Sequence, residues 1–67
     1  MLFYINRNEQ LTGEHEIHRE NCVYLPEMEN RFYLGCFYDP KQALLEAEKL
    51  YSKVDGCYWC CNEIHKM

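Results

Sequence analysis

Hydrophobic and polar positions divide the chain into short blocks with different periods. Leu2-Phe3-Tyr4-Ile5 is an apolar run of β-favouring residues and predicts a strand. Asn6 to Gly13 is polar, holds the first glycine, and reads as a loop or wide turn. Glu14 to Arg19 alternates less cleanly. Read as a second strand pairing with the first, it puts His15 and Ile17 on one face and Glu16 and His18 on the other. Glu20 and Asn21 favour a turn before Cys22, and Val23-Tyr24-Leu25 forms one apolar turn that Pro26 ends. Glu27 to Arg31 is a charged, solvated loop. Phe32 to Tyr38 is the next strand, with Gly35 marking a bulge or a close backbone approach. Simple alternation there groups Phe32, Leu34 and Cys36 on one side and Tyr33 and Phe37 on the other, so Cys36 is expected as a buried thiol in the sheet core.

The period then changes. Asp39-Pro40-Lys41-Gln42 is a helix start: Asp39 as N-cap, Pro40 at the first helical position, Gln42 as capping-box partner. Ala43, Ala47, Leu50 and Val54 recur at helical spacing, Leu44 and Tyr51 widen the stripe, and Glu46, Glu48, Lys49 and Lys53 take the wet side. The spacing predicts a helix over 40–54, stopped by Gly56 at positive φ and leading straight into Cys57. Asn62 to Met67 adds a final helical turn. The expected architecture is a single α+β domain over 1–67. It combines a two- to three-stranded antiparallel sheet, one main helix and a metal knuckle.

Length makes the cysteines matter. In 67 residues a core rarely supplies more than about 3–5 kcal/mol, so a metal, disulfides or a partner usually adds to it. Five cysteines offer a staple, and their odd number argues against a fully paired disulfide framework. No basic leader with a long apolar run and no membrane-length segment is present. The expected location is therefore the cytoplasm, where thiols stay reduced and bind metal. The formal charge is −4 and the seven basic residues are scattered, which disfavours nucleic acid. Ten aromatic residues (six Tyr, three Phe, one Trp) are too many for so small a core. The surplus favours a protein partner.

Cys57-Tyr58-Trp59-Cys60 is the half-site of a tetrahedral zinc centre, because two intervening residues let both sulfurs point at one ion. His18 and Cys22, four apart, supply the other two ligands. Cys61, His15 and His65 are further candidates for those positions. Four good ligands leave no position for water, so the expected site is structural and the protein no enzyme. The competing reading is a redox or metal-handling dithiol at Cys57 and Cys60, with Cys61 beside them. That pair follows a helix stop here, without the helix N-terminus that activates a thioredoxin-like thiol. Tyr58 and Trp59 are read either as an apolar lid over the ion or as a contact surface. Glu14, Glu16, Glu20, Glu27 and Glu29 are read as a solvated acidic face.

The order His18-x-x-x-Cys22-x-x-Leu25-Pro26, Asn30-Arg31, Phe37, Ala43, Ala47 and Gly56-Cys57-x-x-Cys60 resembles the small zinc domains of the Ada-type metal-binding fold. The likeness is to the versions attached to some bacterial nucleases and competence-related proteins, and it spans Glu16 to Cys61. It implies zinc on His18, Cys22, Cys57 and Cys60, and keeps nucleic-acid binding as a further alternative through the company such domains keep. The Ada methyl-acceptor domain uses four cysteines, and the position of its reactive thiolate is His18 here. An imidazole cannot replace that thiolate, so the resemblance implies no repair activity. The usual proline before the Cys-x-x-Cys is also absent, Gly56 standing there. Gly13-Glu-His-Glu-Ile-His18 further resembles a Gly-Asp-His-Glu-Val-His stretch of short stand-alone bacterial proteins.

Overall fold

The computed structural model describes residues 1–66. Its four strands are β1 (Leu2–Asn6), β2 (His15–Arg19), β3 (Arg31–Cys36) and β4 (Val54–Gly56), and its one helix, α1, is Pro40–Glu48. The strands form one sheet in the order β3-β1-β2-β4. β1 is antiparallel to both β2 and β3, whereas β4 runs parallel to β2. The α+β class stands, but the sheet has four strands and is mixed, not two- or three-stranded and antiparallel.

The fourth strand begins at Val54, the last residue assigned to the helix, and runs through Gly56, read from sequence as the helix stop. α1 begins as its residues dictate: Asp39 and Gln42 form a reciprocal capping box around Pro40. It then ends at Glu48, six residues short of the expected Val54. The free edge of β2 supplies the reason, since its backbone groups need partners. His15 pairs with Val54, Glu16 with Asp55 and Ile17 with Gly56. The ladder is extended by His15 N–H to Lys53 O (2.9 Å) and Cys57 N–H to Ile17 O (2.9 Å). Val54 is therefore buried from a strand, and Leu50 is exposed rather than part of a buried stripe. Gly56 is a strand residue without positive φ. A Cβ there would run into Ile64 and the carbonyl oxygen of Cys61, so the glycine allows close packing and does not stop a helix.

The register settles the faces. Phe3 and Ile5 of β1, Ile17 of β2 and Val54 of β4 meet Ala43 and Ala47 of α1, together with Cys61 and Ile64, to form the core. The two alanines let the helix approach the sheet closely. Tyr4 pairs with His18 on β2 and Tyr33 on β3, which places these side chains on the opposite face. The β1–β3 register slips between Phe3 and Tyr4, leaving Leu34 as the extra residue of a bulge beside Gly35 (φ +144°). This reverses the alternation that sequence predicts. Cys36 pairs with Leu2 and is exposed, not buried, and Phe37 turns to the core. A 3-10 turn over Asn62–Ile64 realises part of the expected final helical turn; Met67 lies outside the described residues. Among the described residues no helix is long and apolar enough to cross a membrane.

Candidate metal centre

Three segments converge at the end of β2. His18 is the fourth residue of that strand. A turn closed by Cys22 N–H to Arg19 O (3.1 Å) brings Cys22 back beside it. Leu25 N–H to Cys22 O (3.1 Å) makes the next turn, and Tyr24 N–H reaches Cys22 Sγ at 3.4 Å. From the other side β4 delivers the chain into Cys57. Cys61 N–H to Cys57 O (2.8 Å) closes a turn over the intervening residues, and the Trp59 and Cys60 amides favour the ionised form of the Cys57 sulfur. Arg19 donates its backbone N–H to Cys60 Sγ at 3.2 Å, joining the two halves.

The result is a cluster of four donor atoms, one each from His18, Cys22, Cys57 and Cys60, all within 4.8 Å of one another. Two sulfurs bound to one tetrahedral zinc at about 2.3 Å stand roughly 3.8 Å apart. Cys22 Sγ and Cys57 Sγ are 3.8 Å apart. The His18 ring is fully buried, and neither of its nitrogens has a hydrogen-bond partner among the described residues. An orphaned buried imidazole costs free energy unless something binds it. Donor chemistry, spacing and the orphaned ring all fit a metal ion.

The electrostatics point the same way. Burial pushes His18 down to about 4, so its ring is neutral and its lone pair free at neutral pH. Burial pushes the Cys57 thiol up to about 12 and raises Cys22. Cys60 is raised by its S–H contact with Cys61 first and by burial second. A cation brings the charge that would let these buried thiols ionise, with release of their protons.

The other candidates lie elsewhere. His15 stacks on Tyr51, centroids 3.5 Å apart, and its Nδ1 bonds to Asn6 O at 2.9 Å. His65 Nδ1 bonds to Gly56 O at 2.8 Å and lies 3.4 Å from Asp55. Cys61 is buried in the core with its sulfur 3.6 Å from that of Cys60, outside the group of four. Its thiol is lowered, chiefly by the hydrogen bond from Cys60.

Two features are not evident from sequence. Glu16, expected on a solvated face, has an oxygen 3.0 Å from His18 Nε2 and is only 25% exposed. The period-2 alternation that puts Glu16 and His18 on one face is the signal that could have found it. The second is Arg19, whose backbone amide serves Cys60 while its side chain pairs with Glu63 at 2.9 Å. Around the cluster the ligand loops expose Val23 (89%), Tyr24 (57%), Tyr58 (53%) and Trp59 (69%). Tyr58 meets Trp59 edge-on at 5.0 Å, and Tyr24 lies 6.2 Å from Trp59.

No family model, curated protein or solved structure matches the chain. The likeness to Ada-type domains accordingly rests on motif order and spacing, together with a His/Cys cluster that could hold a metal ion.

Proposed function

We propose that the protein is a small, non-catalytic binding module held together by one structural zinc ion on His18, Cys22, Cys57 and Cys60, and that its partner is another protein. The observation that carries this reading is the convergence of one imidazole and three thiols within 4.8 Å. Borderline-soft nitrogen and sulfur donors in a four-fold set suit zinc. Support for a protein partner comes from the rim of Val23, Tyr24, Tyr58 and Trp59, since exposed aromatics clustered on rigid loops are what interfaces use. A redox role is less well supported, because raised thiols at Cys57 and Cys60 are poor nucleophiles. Nucleic-acid binding has little to draw on. Arg7 and Arg31 are spent on the loop carbonyls of Glu29 and Pro26 and lie over the rings of Phe32 and Tyr4.

Native mass spectrometry of the purified, reduced protein should give one zinc per chain. Cys22, Cys57 and Cys60 should resist alkylation until a chelator is added, while exposed Cys36 reacts at once. A metal-free, folded, reduced monomer would exclude the proposal. Ready alkylation of Cys57 and Cys60 with or without chelator, together with turnover of a disulfide substrate, would move the site to the redox reading.

A further inference from the structure

β2 places Glu16 and His18 two residues apart on the sheet face turned away from the helix. Glu16 Oε1 lies 3.0 Å from His18 Nε2. Its other oxygen is held by the Gln10 side-chain amide, Nε2 to Oε2 at 3.0 Å. The Oε1 contact is short but not aligned as a hydrogen bond, and Nδ1 has no partner either. A neutral imidazole carries one proton and one lone pair, so a fully buried ring needs one acceptor and one electrophile.

We propose that Glu16 is the positioning residue of the metal centre: its carboxylate accepts a hydrogen bond from Nε2–H of His18 and so presents the Nδ1 lone pair to the ion. The inference rests on the metal-site reading above and specifies its geometry. Were the proton on Nδ1, the unprotonated Nε2 would lie 3.0 Å from a carboxylate oxygen with no proton between them. The repulsion between these two acceptors would be poorly screened around a buried ring. With the proton on Nε2 the same two atoms form a charge-assisted hydrogen bond once the ring and the carboxylate come into line. A carboxylate on the far nitrogen also makes the ligating nitrogen more basic and fixes the ring plane. Gln10, by holding Oε2, keeps Glu16 in place beside the ring.

The test is the tautomer itself. Histidine ring nitrogen shifts and two-bond nitrogen–proton couplings in labelled, zinc-loaded protein should show Nε2 of His18 protonated and Nδ1 shifted by the metal. In Glu16→Gln the Gln10 amide keeps the remaining oxygen on its side, which turns the new NH2 toward Nε2 and favours the wrong tautomer. It should lose roughly 10- to 100-fold in zinc affinity by competition with a chelating indicator. Glu16→Ala should lose affinity too, while Glu46→Ala, at the Lys49 pair on the helix away from the site, should not. Coordination through Nε2, or unchanged affinity in Glu16→Gln, overturns this inference and leaves the zinc reading standing. Failure of the wild-type protein to bind zinc overturns both.

Discussion

At the scale of single residues, Gly56 carries a constraint that follows from its neighbours and not from its own dihedral angles. A methyl group at this position would overlap Ile64 and the backbone oxygen of Cys61. The backbone oxygen cannot swing aside without moving the turn that carries Cys60. Overpacking of this kind costs typically about 1–3 kcal/mol. Gly56→Ala should fall at or above the upper end, read as a lower denaturant midpoint with unchanged slope, and should weaken zinc binding as well. A neutral substitution would mean that the tail after Cys61 is not packed against β4.

The donor residues make a second prediction, in pH. Cys22, Cys57 and Cys60 are all raised in the metal-free fold, so they hold their protons through neutral pH. His18, pushed down to about 4, holds none. Protons bound in the free form and absent from the loaded form make affinity rise with pH. Three thiols should give about three decades per pH unit between roughly pH 6 and 8. In an unfolded metal-free chain His18 would titrate at its ordinary 6.5, and below about pH 6 the slope would steepen toward about four. Titration calorimetry in buffers of differing ionisation enthalpy reads the proton count directly. Release of one proton or none per ion would show that the thiols are not the ligands.

At the scale of elements, α1 shows what local chemistry decides and what it leaves to the rest of the fold. Its start is written in four residues. Gln42 returns its side chain to Asp39 N–H at 3.3 Å, and Asp39 Oδ1 accepts from Lys41 N–H at 3.0 Å. Asp39→Ala should cost about 1 kcal/mol, measured by chemical denaturation. Its end was not legible, because Val54 suits both a helical stripe and a strand, and only the unpaired edge of β2 decides between them. The same limit applies to β3. Gly35 signalled a bulge, but the register slip that exposes Cys36 and the packing of Phe37 within 2.6 Å of where a Gly35 Cβ would sit are tertiary features that alternation does not carry. The faces of β2 needed no such knowledge. A period of two placed His15 with Ile17 and Glu16 with His18, and the structure agrees. The four donors were legible as types and spacings. Their convergence depends on β4, whose first residue, Val54, closed the predicted helix and whose last, Gly56, was read as the helix stop.

At the scale of the whole molecule, the question is what keeps so small a chain folded. Among the described residues its buried cluster holds four large apolar side chains, Phe3, Ile5, Ile17 and Ile64, filled out by Ala43, Ala47, Val54 and Cys61, with Leu34, Phe37, Leu44 and Tyr51 packed partly buried against it. Among the described residues twelve large hydrophobic ones are exposed. A core of this size supplies on the order of 3–5 kcal/mol. A structural zinc contributes about 10–16 kcal/mol of apparent binding free energy in comparably small domains. It would tie the end of β2 to the segment after β4, closing a long loop. If the proposed ion, and not the core, decides the balance against chain entropy, removing it should unfold the chain. Added chelator should collapse the circular dichroism signal, and zinc should restore it. Cys22→Ser and Cys60→Ser should not fold at neutral pH, whereas His18→Cys, which keeps four donors, should retain both zinc and fold. Cys61→Ser separates the ion from the core. Cys61 is fully buried, so its replacement is not the mild change a spare surface thiol would allow. An added buried hydroxyl should cost about 1–3 kcal/mol while zinc stoichiometry stays at one. A chain that keeps its circular dichroism and its cooperative melting after chelation would show that the sheet and helix suffice alone. Zinc would then be an occupant of the site and not the support of the fold.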